Sequence, residues 1–209
     1  MCVLVLGDAH ASDPENRETL LEIYARVDPD AVLQVGDLEY YDPPAPTWFA
    51  AGNNEDFDVV DLLRAGQQRE NLRLLASTVA EVAGRRVAGL SGNYAPTQFD
   101  LPREELEGDR RRHFVRDDVE RAAELEEVDV LLTHEAPKGL LSYGYDPGCE
   151  HVNTLLEDLS PDLCLVGHHH THHEAEIQGT RVVSLAPAWE RYYTLETETL
   201  ALEEQDVEW

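Results

Sequence analysis

Five short segments between residue 7 and residue 170 set a metal-ligand side chain directly after an apolar run. They are Gly7-Asp8-Ala9-His10, Gly36-Asp37, Gly52-Asn53-Asn54-Glu55, Thr133-His134 and Gly167-His168-His169-His170. Runs such as residues 2–6 and 163–166 are apolar at every position, the pattern of strands buried on both faces. Strands of that kind build sheets covered by helices, and in such sheets ligands gather beyond the carboxyl ends of the strands. Gly-Asp pairs are common turn formers and a lone histidine is usually a surface or satisfied core residue, so no segment means much alone. Their order and shared position at strand ends carry the argument.

The rest of the chain alternates accordingly. Residues 2–6 read as a strand; residues 16–27 place Leu20, Ile23, Tyr24 and Val27 at helical spacing, with Ser12 or Asp13 as the cap before Pro14; residues 31–35 read as a second strand. Strand, helix, strand is a parallel crossover unit. Residues 40–46 are too proline-rich for regular structure and should loop beside the second motif, before a short strand over residues 47–51 delivers Gly52 and Asn53. Residues 57–63 are expected to be helical, and residues 72–75, 79–82 and 86–90 to be strands around a Gly84-Arg85 turn. Residues 103–112 should be an exposed loop or frayed helix, residues 117–127 an amphipathic helix, and residues 152–159 the crossover helix between strands at 128–132 and 163–166. Residues 174–177, 181–185 and 192–195 look like antiparallel strands with a Gln178-Gly179-Thr180 turn, and Trp48, Trp189, Trp209, Tyr192 and Tyr193 like core or edge-strand residues. The expected architecture is α/β: mixed β-sheets in the middle and helices outside, in one domain over residues 1–209.

Charge constrains the partners. Forty-three acidic residues against 16 basic ones give a formal net charge of -27, and Lys138 is the sole lysine. This composition resembles the solvation of proteins from high-salt cytoplasm, where charges are screened within a few ångströms, and it disfavours long-range attraction of nucleic acid at low salt. Three cysteines without a close-spaced pair fit a reducing cytoplasm, and no apolar run is long enough to span a membrane. The densest basic cluster, Arg110-Arg111-Arg112-His113, either meets a phosphate or is a helix end paired with nearby carboxylates.

Carboxylate, imidazole and carboxamide donors converging from separate strand ends suit divalent cations of the first transition row. Asp8 and His10 can serve one cation, Asn53 and His134 another, with one each from His168 and His170; Asp37 has two oxygens and can bridge cations roughly 3.5–4 Å apart. The set predicts a two-metal hydrolase of phosphate esters, with Mn²⁺ favoured and Fe²⁺, Ni²⁺ or Zn²⁺ compatible.

The ordered set resembles the calcineurin-like metallophosphoesterases, whose pattern is Asp-x-His, Gly-Asp, Gly-Asn-His-Asp/Glu, His and Gly-His-x-His. The resemblance implies that Asp8, His10, Asp37 and His170 hold one metal and Asp37, Asn53, His134 and His168 the other. Residues 87–94, 112–114, 129–140 and 155–170 are further similar to the RNA lariat debranching branch, which cleaves a branched phosphodiester and so makes a nucleotide or RNA a candidate substrate. One position departs: Asn54 stands where the family pattern has the histidine that assists the leaving group. Asparagine has no titratable proton but still donates a hydrogen bond. A surrogate acid among Tyr94, His113 and His169, a leaving group that departs unaided, or a metal-bound interaction module without turnover are the three consequences. A phosphomonoesterase is the nearest enzymatic rival to a phosphodiesterase. Glu55 reads as a helix-start carboxylate or as an orienter of the site rather than a base.

Overall fold

A computed structural model describes residues 1–207. The first crossover unit forms as expected: β1 (Val3–Leu6), α1 (Pro14–Val27) and β2 (Ala31–Gln34), followed by β3 (Thr47–Phe49), α2 (Phe57–Arg64) and β4 (Leu72–Leu74). Asp13 caps α1, accepting from the backbone N–H groups of Glu15 and Asn16 with proline at the first helical position. Asp56, not Glu55, caps α2. The chain continues through β5 (Thr78–Val82), β6 (Arg85–Leu90), α3 (Arg116–Ala123), β7 (Val130–Thr133), α4 (Glu150–Leu159) and β8 (Leu163–Val166), then β9 (His173–Ile177), β10 (Thr180–Ser184), β11 (Arg191–Leu195) and β12 (Leu202–Asp206). Residues 103–112, read as loop or frayed helix, form two short 3-10 turns, and α3 stops four residues before the expected end.

Two six-stranded sheets result, in the orders β12-β11-β1-β2-β3-β4 and β5-β6-β7-β8-β10-β9. Parallel pairing joins β1, β2, β3 and β4 in the first and β6, β7, β8 and β10 in the second, with antiparallel pairing of β11 and β12 at one edge of the first sheet and of β5 and β9 at the edges of the second. Three apolar clusters record the layering. Val3, Val5, Leu33, Val130, Leu132, Leu165 and Tyr193 pack between the sheets. Leu4, Leu6 and Val32 face Leu20, Ile23 and Val60 of α1 and α2, while Leu131, Cys164 and Val166 face Val152, Leu155 and Leu156 of α4. Alternate residues of each central strand thus enter different cores, which is why the strands read as unbroken apolar runs.

The sequence reading misplaced three local features. Val82 pairs with Arg85, so the first hairpin turn is Ala83-Gly84, one residue before the expected position, while Ile177 pairs with Thr180 and the second turn is Gln178-Gly179, within the expected Gln178-Gly179-Thr180 segment. All four turn residues have positive φ (53°, 79°, 53° and 79°), the signature of a type I′ turn. β4 and β5 belong to different sheets, and so do β10 and β11, because the chain crosses between layers at each of these junctions. β12 went unread because Leu-Glu-Glu-Gln-Asp carries no alternation; it is held by its ladder to β11. Trp48 packs against the inter-sheet core, and Tyr192 and Tyr193 are buried as expected; Trp209 lies outside the described residues.

The three cysteines are free, and no described helix is long and apolar enough to cross a membrane. With 43 carboxylates and 16 basic groups, most of the charge has no partner inside the fold. Raising KCl from about 0.1 M to about 1 M shortens the screening length from about 10 Å to about 3 Å. The expected result is a rise in Tm of at least about 3 °C, the equivalent of about 1 kcal/mol for a chain of this size, followed by circular dichroism. An unchanged or lower Tm would separate the acidity from stability.

Candidate metal centre

All five motif segments meet at one end of the sandwich, where the carboxyl ends of both sheets' parallel strands come together. The first two loops are stitched directly: the N–H groups of Ala9 and His10 donate to the Asp37 carbonyl at 3.0 and 2.8 Å, and Ala11 donates to Leu38. Gln34, a buried polar residue closing an otherwise apolar strand, donates through Nε2 to the Gly7 and Gly36 carbonyls and accepts from the Gly36 N–H at 2.9 Å. Glu55 joins the second loop to the third. Its Oε1 accepts from Leu38 at 3.0 Å and its Oε2 from the Glu39 N–H at 3.1 Å and the Tyr41 hydroxyl at 2.6 Å. Glu55 is therefore the orienter of the two readings proposed, and burial pushes its carboxyl above the usual range.

Two triads of ligand atoms result, each with its atoms within 4.8 Å of one another: Asp8, His10 and His170, and Asp8, Asp37 and His134. Asp8 belongs to both triads, and Asp37, a member of the second, also reaches the first, with Oδ2 3.6 Å from His10 Nε2 and 3.6 Å from His134 Nε2. His170 Nε2 lies 3.5 Å from Asp8 Oδ1 and 3.3 Å from His10 Nε2. Asn53 joins the second triad through its carboxamide oxygen, 3.0 Å from His134 Nε2. His168 is less directly engaged. Its N–H donates to both Asp8 oxygens at 3.0 Å and its ring contacts the edge of His134, 4.9 Å between centroids, but it falls outside both triads.

The chemistry of this donor set fits cations. His134 Nδ1 sits 2.9 Å from the Val35 carbonyl, which only accepts, so Nδ1 carries the hydrogen and Nε2 turns its lone pair toward the oxygens of Asn53 and Asp37. Glu39 does the same for His10, taking Nδ1 at 2.5 Å and leaving Nε2 facing Asp37 and His170. Burial raises the Asp8 carboxyl, but contact with His170 and the nearby His134 outweigh it and hold the group below its ordinary value. Burial, reinforced by His134 and His169, lowers His168 to about 4, so that imidazole is neutral near pH 7. No Cβ fits at Gly52, where it would stand 2.1 Å from Asp37 Oδ1, nor at Gly36, where φ is +103° and it would meet His134 Nδ1 at 2.3 Å. Left-handed backbone at His10, Asp37, Glu39, His168 and His170 concentrates strain in these loops, as functional sites commonly do.

Asn54 does not point into free space. Its backbone N–H donates to Asp37 Oδ1 at 2.8 Å and its side-chain amide to Asp37 Oδ2 at 2.7 Å. Of the three candidate surrogate acids, His169 has a ring contact with a motif histidine, 5.0 Å from His168. Tyr94 packs among Phe99, Phe114 and His151, and His113 pairs through its backbone with Asn93. His172 and His173 sit before and at the start of β9, with His172 bound to the Tyr193 hydroxyl and Glu204.

Three participants were not legible as such. Glu39 looked like one acid among many, and Gln34 like an ordinary strand residue, although a polar side chain closing a buried strand was the available signal. Trp189 is neither core nor strand. It lies in the crossing from β10 to β11 with its ring 5.6 Å from His10 and 5.3 Å from His170, over the rim of the first triad. The Arg110–Arg112 cluster is tied to acids: Arg111 binds Asp58 and Asp61, and Arg112 binds Asp109, so the paired reading holds there.

A family profile described as calcineurin-like phosphoesterase matches residues 1–172. The chain belongs to that family. It is 28% identical over 162 residues to a lariat debranching enzyme of Arabidopsis thaliana, an alignment covering 65% of this chain and 39% of the relative. The chain thus spans about 39% of the length of that curated relative. Among solved structures it is similar to the TT1561 protein of Thermus thermophilus, with TM-score 0.71, 18% identity and 99% of each chain covered. It is also similar to a dimetal phosphatase of Danio rerio, with TM-score 0.59, 11% identity, and 93% and 95% covered. At these identities the structures establish the shared fold, and the calcineurin-like αββα architecture is as the sequence predicted.

If Glu39 orients His10, Glu39→Ala should weaken divalent-metal binding about 10–100-fold while leaving the fold intact. Calorimetric titration of metal-free protein with Mn²⁺ reads this directly, and unaltered affinity would remove Glu39 from the site.

Proposed function

We propose that this chain, acting as a single domain over residues 1–209, is a metal-dependent phosphodiesterase working with two divalent cations, Mn²⁺ favoured. Asp8, His10, Asp37 and His170 would hold one cation and Asp37, Asn53, His134 and His168 the other. The observation that carries the reading is the equal 3.6 Å approach of Asp37 Oδ2 to His10 and His134, which sets one carboxylate between two donor groups. When bound, such a pair supplies Lewis acidity toward the phosphate and activation of the attacking water. The protein supplies position. Val35 and Glu39 fix the imidazole tautomers, and Gln34 and Glu55 hold the loops in register.

A diester substrate is supported by the alignment with a lariat debranching enzyme, and a nucleotide or short RNA fits that likeness. The free cysteines and the acidic surface suit a reducing, salt-rich cytoplasm. Asn54 is the residue that separates this site from the full family pattern. Its amide donates to Asp37 and has no proton to give a departing alkoxide. A missing general acid costs about 10²–10⁴-fold in rate, and that loss falls on substrates with basic leaving groups. The same hydrogen bond favours a second reading, in which Asn54 locks the bridging carboxylate of a metal-bound interaction module.

The test uses purified, Mn²⁺-loaded protein in high salt with a nitrophenyl phosphodiester, a nitrophenyl phosphomonoester and an unactivated dinucleotide. Rapid cleavage of the activated diester with slow cleavage of the dinucleotide supports the proposal. Preference for the monoester overturns the diester assignment, and metal binding without turnover on any substrate favours the interaction module. Asn54→His should raise the dinucleotide rate at least about tenfold and leave the activated diester nearly unchanged; equal rates in both proteins would remove Asn54 from the leaving-group position.

A further inference from the structure

In a chain with 27 excess negative charges, one cavity is lined by three arginines. It has a volume of about 410 Å³ and is walled by Arg64, Arg103 and Arg121, with Ser77 and Thr78 on one side and Leu63, Leu74 and Ala76 beneath. The cluster forms because the end of α2, the start of β5, the first 3-10 turn and α3 converge on the Asp118 carboxylate. Arg103 binds Asp118 through Nε at 3.0 Å and through Nη2, Arg121 binds it through Nη2 at 2.5 Å, and the Val115 N–H adds a further donor at 3.0 Å.

Asp118 is therefore saturated by groups other than Arg64, which approaches no closer than 4.0 Å and makes no hydrogen bond among the described residues. The Arg64 side chain is 17% exposed and none of its nitrogens is a buried donor without a partner, so its donors remain open to solvent. The second carboxylate near Arg64, Asp61, is engaged by Arg111 at 2.8 Å. Three guanidiniums thus share one buried carboxylate, leaving local positive charge where the molecule as a whole is strongly negative. Burial and the neighbouring Arg103 lower the Arg64 guanidinium to about 10, as expected where cations crowd without full compensation.

We propose that this cavity binds a phosphate-type oxyanion, held by the free donors of Arg64 with support from Arg103 and Arg121. Guanidinium groups present donors in the planar fork that phosphate oxygens accept, and a tetrahedral oxyanion neutralises the excess positive charge. The cavity is distinct from the metal centre. Arg64 ends α2, whose first turn follows Asn53-Asn54-Glu55, and a helix of eight residues is about 12 Å long. The source of the anion is either free phosphate or a phosphate of a polynucleotide.

Calorimetric titration of the metal-loaded protein with inorganic phosphate and with a short oligonucleotide tests the assignment, using Arg64→Gln, Arg121→Gln, the exposed control Arg116→Gln, and His134→Ala to disable the metal centre. Arg64→Gln is expected to weaken phosphate binding about tenfold or more, Arg121→Gln to weaken it less, and Arg116→Gln to leave it unaltered. The event lost in Arg64→Gln should persist in His134→Ala, which keeps this test independent of the hydrolase reading. An oligonucleotide that binds more tightly than phosphate, and loses that advantage in Arg64→Gln, identifies a polynucleotide source; phosphate binding without that advantage identifies the free anion. Absence of phosphate binding in the parent protein, or binding lost in His134→Ala and unchanged in both Arg64→Gln and Arg121→Gln, would overturn the proposal.

Discussion

The molecule is organised around the need to keep carboxylates buried at the strand ends without letting them repel the fold apart. Asp8, Asp37 and Glu55 are all nearly inaccessible, in a protein already carrying a net charge of -27. An unpartnered buried charge is expensive, so every loop nearby is recruited as a source of N–H donors. His168 supplies its backbone to Asp8, Asn54 supplies backbone and side chain to Asp37, and Leu38, Glu39 and Tyr41 supply Glu55. Left-handed backbone at five non-glycine residues is the conformational cost of aiming those groups inward. The surrounding parallel strands tolerate it because both of their faces are packed.

This division explains what could be read from sequence. The central strands announce themselves because burial on two faces leaves apolar runs with abrupt ends, and the seven expected ligand positions lie at those ends. All seven side chains arrive in one region, since strand ends in adjacent parallel positions have nowhere else to go. What could not be read depends on partners rather than on pattern. The 185–190 crossing carries Trp189 to the first triad only because β11 pairs with β1, a long-range choice invisible in a local window. β12 has no apolar alternation and exists through its ladder to β11. Glu39 is one of 43 acidic residues, and nothing but its contact with His10 distinguishes it. The expected Gly84-Arg85 turn was displaced by one residue because a two-residue hairpin loop needs two left-handed positions, which Ala83 and Gly84 supply.

The charge of the chain is likewise uneven in a way that composition conceals. The basic run that stood out, residues 110–112, is largely consumed by nearby aspartates. The cations that remain undercompensated come from Arg64, Arg103 and Arg121, separated in sequence by 57 residues from first to last and brought together by the packing of α2 and α3 around Asp118. A linear scan for basic clusters finds the first group and misses the second.

Asn54 connects these threads. Because its backbone N–H already fixes Asp37 Oδ1, the side-chain donor to Oδ2 is a second tie on the same carboxylate. A histidine in that slot would place a bulkier ring and, when protonated, a positive charge beside Asp37, whereas the neutral amide adds a donor without adding charge. Asn54 therefore ties the Asp37 carboxylate by two donors and brings no positive charge of its own. Cations at the two triads would take up that role. In the proposed two-cation reading, a site built this way would leave the departure of the leaving group to the substrate rather than to an acid at position 54.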